Sequence, residues 1–166
     1  MPPHTRIVPM RELAFRCLGI PYLLGAKAWD PTRIPDKLDC SGFIHLLVAG
    51  KVVVPGFDYP LGAGLTVIRK PDGTEVPVSQ FHGSWIQGSM CRRIPVADAL
   101  ANVGCFLFKD PGTGKHGHVE MSLGANHTIG ATGGLGRMVT VRRPSEQGAV
   151  RWSYGAKLDA LWGTVT

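Results

Sequence analysis

The chain has 166 residues and a mass of 17.8 kDa, which is room for one domain rather than several. Hydrophobic residues make up 44% and charged residues 18%, enough apolar material for a core and too much for a disordered chain. The 22 glycines and 13 prolines favour a loop-rich α+β domain over a helical bundle. No run of about 18 apolar residues is present, so the sequence predicts no membrane span.

Charge limits the kind of partner. Lys and Arg outnumber Asp and Glu by 18 to 12, and the formal net charge of +6 suits a polyanionic partner such as nucleic acid, a phospholipid surface or a bacterial cell wall. The basic pairs at 92–93 and 142–143 have no interleaved aromatic residues, so we do not expect nucleic acid.

The cysteines and histidines indicate no metal site and no other cofactor. The cysteines form no C-x-x-C pair, and His116-x-His118 lacks a third ligand at usable spacing. Cys17 and Cys105 fall on apolar faces and are expected to pack, whereas Cys91, beside two arginines, is a candidate for exposure. Because residues 1–6 lack the layout of a secretory signal, we expect synthesis in the cytoplasm with free thiols.

Two segments in the first third of the chain predict helices. Apolar residues recur with helical spacing from Met10 to Leu18. Asp39 is a suitable N-cap for a second helix, which runs from Cys40 to about Ala49 and is closed by Gly50.

The rest of the chain predicts mainly short strands. Segments 65–69 and 75–78 flank an Asp-Gly turn and predict a hairpin, inside an insertion that extends from about 51 to 95. After a short helix at 96–102, strands are predicted at 105–108, 118–123, 127–129 and 138–141. This order predicts a single α+β domain over residues 1–166, with N-terminal helices packed on a mostly antiparallel central sheet.

Two positions suggest a nucleophile and its base. Cys40 begins the second helix, where backbone N–H groups and the helix dipole stabilise a thiolate, the nucleophilic form of cysteine. His118 begins a predicted strand in which alternation places His118, Glu120 and Ser122 on one face. Packing alone also explains a cysteine at a helix start, and a sheet edge explains the histidine. Further residues are needed to favour the catalytic interpretation of this pair.

Six segments carry a resemblance to a known family: 19–22, 39–43, 104–108, 117–124, 128–131 and 151–156. Together they resemble the NlpC-type cell-wall cysteine peptidases, a papain-like family, and the last two are similar to segments of its bacteriophage-associated members. The resemblance extends from about residue 10 to 162. It implies a papain-like fold in which Cys40 attacks a peptide bond of the peptidoglycan stem, typically between D-γ-glutamate and a diamino acid. His118 would be the base that later protonates the leaving amine.

The same resemblance implies how the oxyanion is bound. The backbone N–H of Cys40 and the hydroxyl of Tyr22 would hold it. Ser41, next to the nucleophile, is grouped with Tyr22 as a substrate-binding residue. Tyr22 also has a second explanation, since an aromatic ring after a helix stop often packs at the edge of a core.

The third catalytic residue is where the sequence departs from the family. The family has a polar residue twelve positions after the base, and here that position is Gly130, which has no side chain to orient an imidazole. His127 is the candidate on chemical grounds, whereas Asn126, Thr128 and Thr132 fit strand alternation better. Orientation of the ring by water or a backbone carbonyl is equally consistent.

We expect the protein to act on the bacterial cell wall, as a phage lysin, a tail-associated hydrolase or a secreted effector. The expected partner is the peptidoglycan stem peptide, and no oligomeric state is predicted. Two alternatives remain. One is an N-acetylmuramoyl-L-alanine amidase of the same fold. The other, motivated by Gly130, is a non-catalytic wall-binding or structural virion domain.

Overall fold

In the computed structural model, which describes residues 6–81, 90–112 and 117–162, two helices and a hairpin precede most of the strands of a larger sheet. The helices are α1 (Ile7–Arg16), α2 (Cys40–Ala49) and α3 (Val96–Ala101). The strands are β1 (Val67–Arg69), β2 (Glu75–Pro77), β3 (Arg92–Ile94), β4 (Phe106–Lys109), β5 (His118–Gly124), β6 (His127–Thr132), β7 (Met138–Arg142) and β8 (Tyr154–Lys157). Short 3-10 helices occupy Val78–Gln80, Pro144–Ala149 and Asp159–Trp162.

The larger sheet has six strands in the order β3-β8-β4-β5-β6-β7, and every neighbouring pair is antiparallel. The strands β1 and β2 form a separate hairpin with Ile68 opposite Val76, so the predicted hairpin is present. The α+β class and the mostly antiparallel sheet are confirmed. The strands β3 and β8 are additions that the sequence pattern did not predict.

Packing fixes the position of α2. All ten of its residues are buried, and it packs against α1, β5 and β6. Phe43, Leu46 and Leu47 are 0% exposed and share one hydrophobic core with Val119 and Met121 of the sheet. Full burial of each such side chain contributes roughly 1.5–3 kcal/mol, so the helix that begins at Cys40 is anchored along its length.

The opposite face of the sheet carries α3. Leu107 of β4 packs there against Ala99, and Cys105 belongs to the same small cluster. Leu107 lies opposite Glu120 in the register of β4 and β5, which puts Glu120 on this face as well.

The other cysteines lie inside the protein. Cys17 and Cys105 are buried as expected, but Cys91 is also buried, at 3% exposure, so its predicted exposure is wrong. The neighbouring arginines point outward from strand β3, while the thiol packs in the core. Burial raises the pKa of each of these thiols, that of Cys17 to about 12. Among the described helices, none is long and apolar enough to span a bilayer.

Candidate active site

Cys40 lies at the junction between the start of α2 and the start of β5. Asp39 caps the helix, because its Oδ1 accepts a hydrogen bond of 2.6 Å from the backbone N–H of Gly42. The Cys40 Sγ lies 4.0 Å from the carbonyl oxygen of Gly117, the residue before β5. Cys40 is 7% exposed, so its side chain is packed in place at the helix terminus.

A small charged cluster fixes the cap. The ammonium of Lys27 pairs with Asp39 and also donates to the hydroxyl of Ser41. The backbone N–H of Gly25 adds a hydrogen bond of 3.1 Å to Oδ2 of Asp39. Ser41, grouped above with the binding residues, is 2% exposed, and its hydroxyl also donates to Oδ1 of Asp39. In this structure the Ser41 side chain supports the cap.

The imidazole of His118 is held by a carboxylate and lies close to a thiol. Its Nε2 lies 2.6 Å from Oε2 of Glu120, and the Cys40 side chain is near enough to affect its pKa. Burial by itself lowers the pKa of His118, but the hydrogen bonds and charges of Cys40 and Glu120 outweigh it and raise this pKa to about 9. Because Nε2 is bonded to Glu120, Nδ1 is the nitrogen left for the thiol. Such a ring can take a proton from the thiol and hold it.

Glu120 is 0% exposed and is surrounded by donors. Arg142 of β7 donates from Nη2 to Oε2 at 2.8 Å and from Nε to Oε1 at 3.1 Å. Thr128 of β6 donates from Oγ1 to Oε1 at 2.5 Å. Burial raises the pKa of Glu120, yet the hydrogen bonds from His118 and Arg142 overcome this and hold the pKa below its ordinary value. Glu120 is therefore a carboxylate at neutral pH.

A second series of contacts returns from Glu120 to His118. The hydroxyl of Thr128 accepts a hydrogen bond of 3.0 Å from Nε2 of Gln147, and Oε1 of Gln147 accepts one of 2.9 Å from the indole Nε1 of Trp152. The Trp152 ring stacks on the imidazole, with centroids 5.9 Å apart and planes inclined by 13°. These five residues form a closed ring of contacts, here called the His118 circuit, which fixes the plane of the imidazole.

Gly130 leaves the space in which Glu120 lies. The register of β5 and β6 puts Gly130 opposite Glu120. A Cβ at position 130 would lie 2.4 Å from Cγ of Glu120 and 3.2 Å from its Cδ, so no other residue fits without displacing the carboxylate. The side chain that the family resemblance implies at 130 is thus replaced by one that enters from the neighbouring strand.

Gly130→Ala is expected to destabilise the protein by about 1–3 kcal/mol, because the added methyl overpacks a side chain that Arg142 and Thr128 hold in place. Urea denaturation measures the change. Gly148→Ala is the control, since nothing lies within 4 Å of an added Cβ there. Equal free energies of unfolding for the two variants would contradict this packing argument.

Tyr22 lies close to Cys40. Burial raises the pKa of its hydroxyl, with further contributions from the charges of Cys40 and Asp39. Its backbone N–H donates to the carbonyl of Arg137 at 2.9 Å, and its ring packs over Gly133, where a Cβ would be 3.2 Å from Cε1. These contacts hold the Tyr22 ring in place near Cys40.

His127 lies at the other end of β5 from His118. It pairs with Gly124, six residues beyond His118, which is a separation of about 20 Å along a strand. Its Nδ1 is hydrogen-bonded to the carbonyl of Ala125 at 2.9 Å. This position does not bring His127 to the imidazole of His118.

An open groove of about 580 Å³ runs past His118. Its charged lining residues are Lys109, Arg142, which is paired with Glu120, and Glu146, and Thr132, Gly134 and Leu135 also line it. A chain of substrate in this groove would pass the ring of His118. Among the described residues, no group of three or more His, Cys, Asp or Glu side chains is placed to hold a metal ion, and His116 lies outside those residues.

Comparison with solved structures identifies the architecture. The chain is similar to the peptidoglycan hydrolase RipB from Mycobacterium tuberculosis, at 20% identity and a TM-score of 0.56, over 92% of this chain. It is also similar to NlpC2 from Trichomonas vaginalis (17%, 0.54, 93% of this chain) and to the P60 domain of an antigen from M. avium subspecies paratuberculosis (22%, 0.51, 92%). The chain has the fold of the NlpC and P60 proteins.

The extent of these matches differs. The chain spans 64% of the RipB chain and 47% of the NlpC2 chain, but 94% of the P60 domain. No protein-family model matches the sequence, and no curated protein matches it as a sequence relative. The predicted papain-like α+β fold is confirmed.

Glu120 is the site residue that sequence reasoning missed. Alternation along β5 already put it on the same face as His118, two positions away. What the sequence did not supply was the register that brings Gly130 opposite it. The sequence signal that could have found it is a carboxylate two residues after the candidate base, combined with a glycine at the position where the family has a polar side chain.

Proposed function

We propose that the chain is a thiol-dependent hydrolase that cleaves a peptide bond in the stem of bacterial peptidoglycan. The observation that carries this proposal is the position of Cys40 at the start of a buried helix, beside the residue that precedes His118, whose imidazole is hydrogen-bonded to a buried carboxylate. A thiol at a helix N-terminus beside a histidine is the arrangement that generates a nucleophilic thiolate.

The chemistry follows from these groups. His118 takes the proton of the Cys40 thiol, and the thiolate attacks the carbonyl carbon of the scissile amide. The backbone N–H of Cys40 and the hydroxyl of Tyr22 are the candidate donors to the oxyanion. His118 then gives its proton to the leaving amine, which departs and leaves a thioester. Water, deprotonated by His118, attacks the thioester and releases the acid, and the proton returns to the thiol.

Three observations support peptidoglycan as the substrate. The fold is shared with proteins that include a peptidoglycan hydrolase. The net charge of +6 suits a polymer rich in carboxylates. The family resemblance of the Cys40 and His118 segments favours the bond between D-γ-glutamate and the diamino acid. The resemblance of the C-terminal segments favours a phage lysin or a tail-associated hydrolase that acts on the wall after release or delivery.

Incubation of the protein with purified sacculi, followed by mass spectrometry of the released peptides, tests the proposal. A new free amino group on the diamino acid is the expected product. Stem peptides released whole from lactyl groups of the glycan would instead identify an amidase of the same fold. Binding to sacculi without any product would point to a wall-binding or structural domain and overturn the proposal.

A further inference from the structure

We propose that Glu120 is the positioning residue that holds the His118 imidazole toward Cys40. Because Gly130 has no side chain, it leaves the space that Glu120 occupies, and the carboxylate reaches the imidazole from β5, the strand that also carries His118. This assignment builds on the proposed hydrolase, because it names the residue that completes its Cys40 and His118 pair. It replaces both His127 and a side chain at position 130 as the third member.

First, the contact between Glu120 and Nε2 of His118 orients the imidazole. A carboxylate oxygen 2.6 Å from Nε2 fixes the proton on that nitrogen and sets the rotation of the ring. That contact leaves Nδ1 as the ring nitrogen available to the Cys40 thiol, whose charge acts on the imidazole. When His118 accepts the thiol proton, the charge of Glu120 stabilises the imidazolium that forms.

The second step is the rigidity of Glu120. A carboxylate orients a ring only if it is itself held, and Glu120 has partners on two further strands, Arg142 of β7 and Thr128 of β6. The His118 circuit adds a restraint from the other side, since Gln147 and Trp152 connect Thr128 to the face of the imidazole. Ring and carboxylate are therefore positioned by the same set of contacts.

The third step is the charge around the ring. The ionisable groups around His118 are Cys40 of α2, Glu120 of β5, Lys109, which is its register partner on β4, and Arg142 and Glu146, which line the same groove. Of these groups, Cys40 and Glu120 raise the pKa of His118, and Glu120 is the carboxylate in direct contact with it. Removal of the Glu120 charge is thus expected to make the ring harder to protonate.

A purely structural role for Glu120, as the buried partner of Arg142, makes a different prediction. In that case its loss would destabilise the fold and leave the titration of His118 unchanged. The test therefore measures the imidazole itself. NMR titration gives the pH midpoint of His118, with its signal assigned by its absence in His118→Gln. Iodoacetamide alkylation, followed by peptide mass spectrometry, gives the rate at Cys40 against pH.

Glu120→Gln is the informative variant, because it keeps the shape and removes the charge. We expect the His118 midpoint to fall by about one pH unit or more, and the alkaline end of the Cys40 alkylation profile to move with it. Glu75→Gln is the matched control, since Glu75 also pairs with an arginine, Arg69, but lies in the remote hairpin. The His118 midpoint in Glu75→Gln is expected to equal that of the wild type.

An unshifted His118 midpoint in folded Glu120→Gln would overturn the assignment. Should that variant not fold, Glu120→Asp is measured in the same way. It keeps a charge for Arg142 but withdraws the carboxylate from Nε2, and the same downward shift is expected. Neither readout needs a wall substrate. If the His118 midpoint shifts but the wild-type protein does not cleave sacculi, the role of Glu120 stands and the proposed function is wrong. If sacculi are cleaved but the midpoint does not shift, the proposed function stands and the role of Glu120 is wrong.

Discussion

Cys40→Ala is expected to lower the release of peptides from sacculi by at least about a thousandfold, because no other thiol is positioned to replace the nucleophile. The remaining described cysteines, Cys17, Cys91 and Cys105, are buried, and burial raises the pKa of each. The melting temperature is expected to stay within a few degrees of the wild type, because one sulfur atom at a helix start contributes little packing. Turbidity loss and thermal denaturation measure the two effects.

Cys105→Ala is the control for this variant. Cys105 packs with Ala99 and Leu107 on the α3 side of the sheet, remote from the groove beside His118. The control should keep its activity while losing some stability, which is the reverse of the result at Cys40. Equal rates for the wild type and Cys40→Ala would remove the thiol mechanism altogether.

Helix α2 shows what the sequence could predict and why. Its bounds, Cys40–Ala49, match the prediction because a capping aspartate at one end and a glycine at the other are local signals. Helix α1 instead begins at Ile7 and ends at Arg16, so its predicted range was displaced toward the C-terminus. The backbone N–H of Arg6 is bonded to the carbonyl of Leu161, a distant contact that no local pattern contains.

Strands β3 and β8 show the opposite case. The sequences Arg-Arg-Ile and Tyr-Gly-Ala-Lys have neither alternation nor strong β-propensity. They are strands because they pair with each other and because β8 also pairs with β4. The guanidinium of Arg93 adds a contact 3.9 Å above the ring of Tyr154. Tertiary pairing of this kind cannot be inferred from the sequences of β3 and β8 alone, because the paired residues are 61 to 65 positions apart.

The candidate site also contains residues that local sequence predicts and one that depends on tertiary pairing. Cys40 and His118 could be proposed from local signals, a helix start and a strand start, and the structure brings their side chains together. The role of Glu120 could not be predicted, because it depends on the register between β5 and β6. The irregularity between Ser122 and Gly124 sets which β6 residue faces Glu120, and a shift of one position would have put a different residue there.

His118→Ala is expected to lower peptide release by at least about a hundredfold, because the thiol loses its base and the leaving amine loses its acid. His127→Ala is the matched control. His127 contacts the Ala125 carbonyl at the far end of β5, so its removal should leave the rate unchanged. Loss of activity in His127→Ala, with His118→Ala active, would reverse the assignment of the base.

The same variant carries a prediction about stability. A histidine whose pKa rises from 6.5 in the unfolded chain to about 9 in the folded protein stabilises the fold in its protonated form. That contribution is complete below pH 6.5 and is lost as the pH rises to about 9. Urea denaturation across this range should therefore show a decline in the free energy of unfolding for the wild type that is smaller in His118→Ala. Identical pH slopes for the two proteins would mean that Cys40 and Glu120 do not hold a proton on this ring.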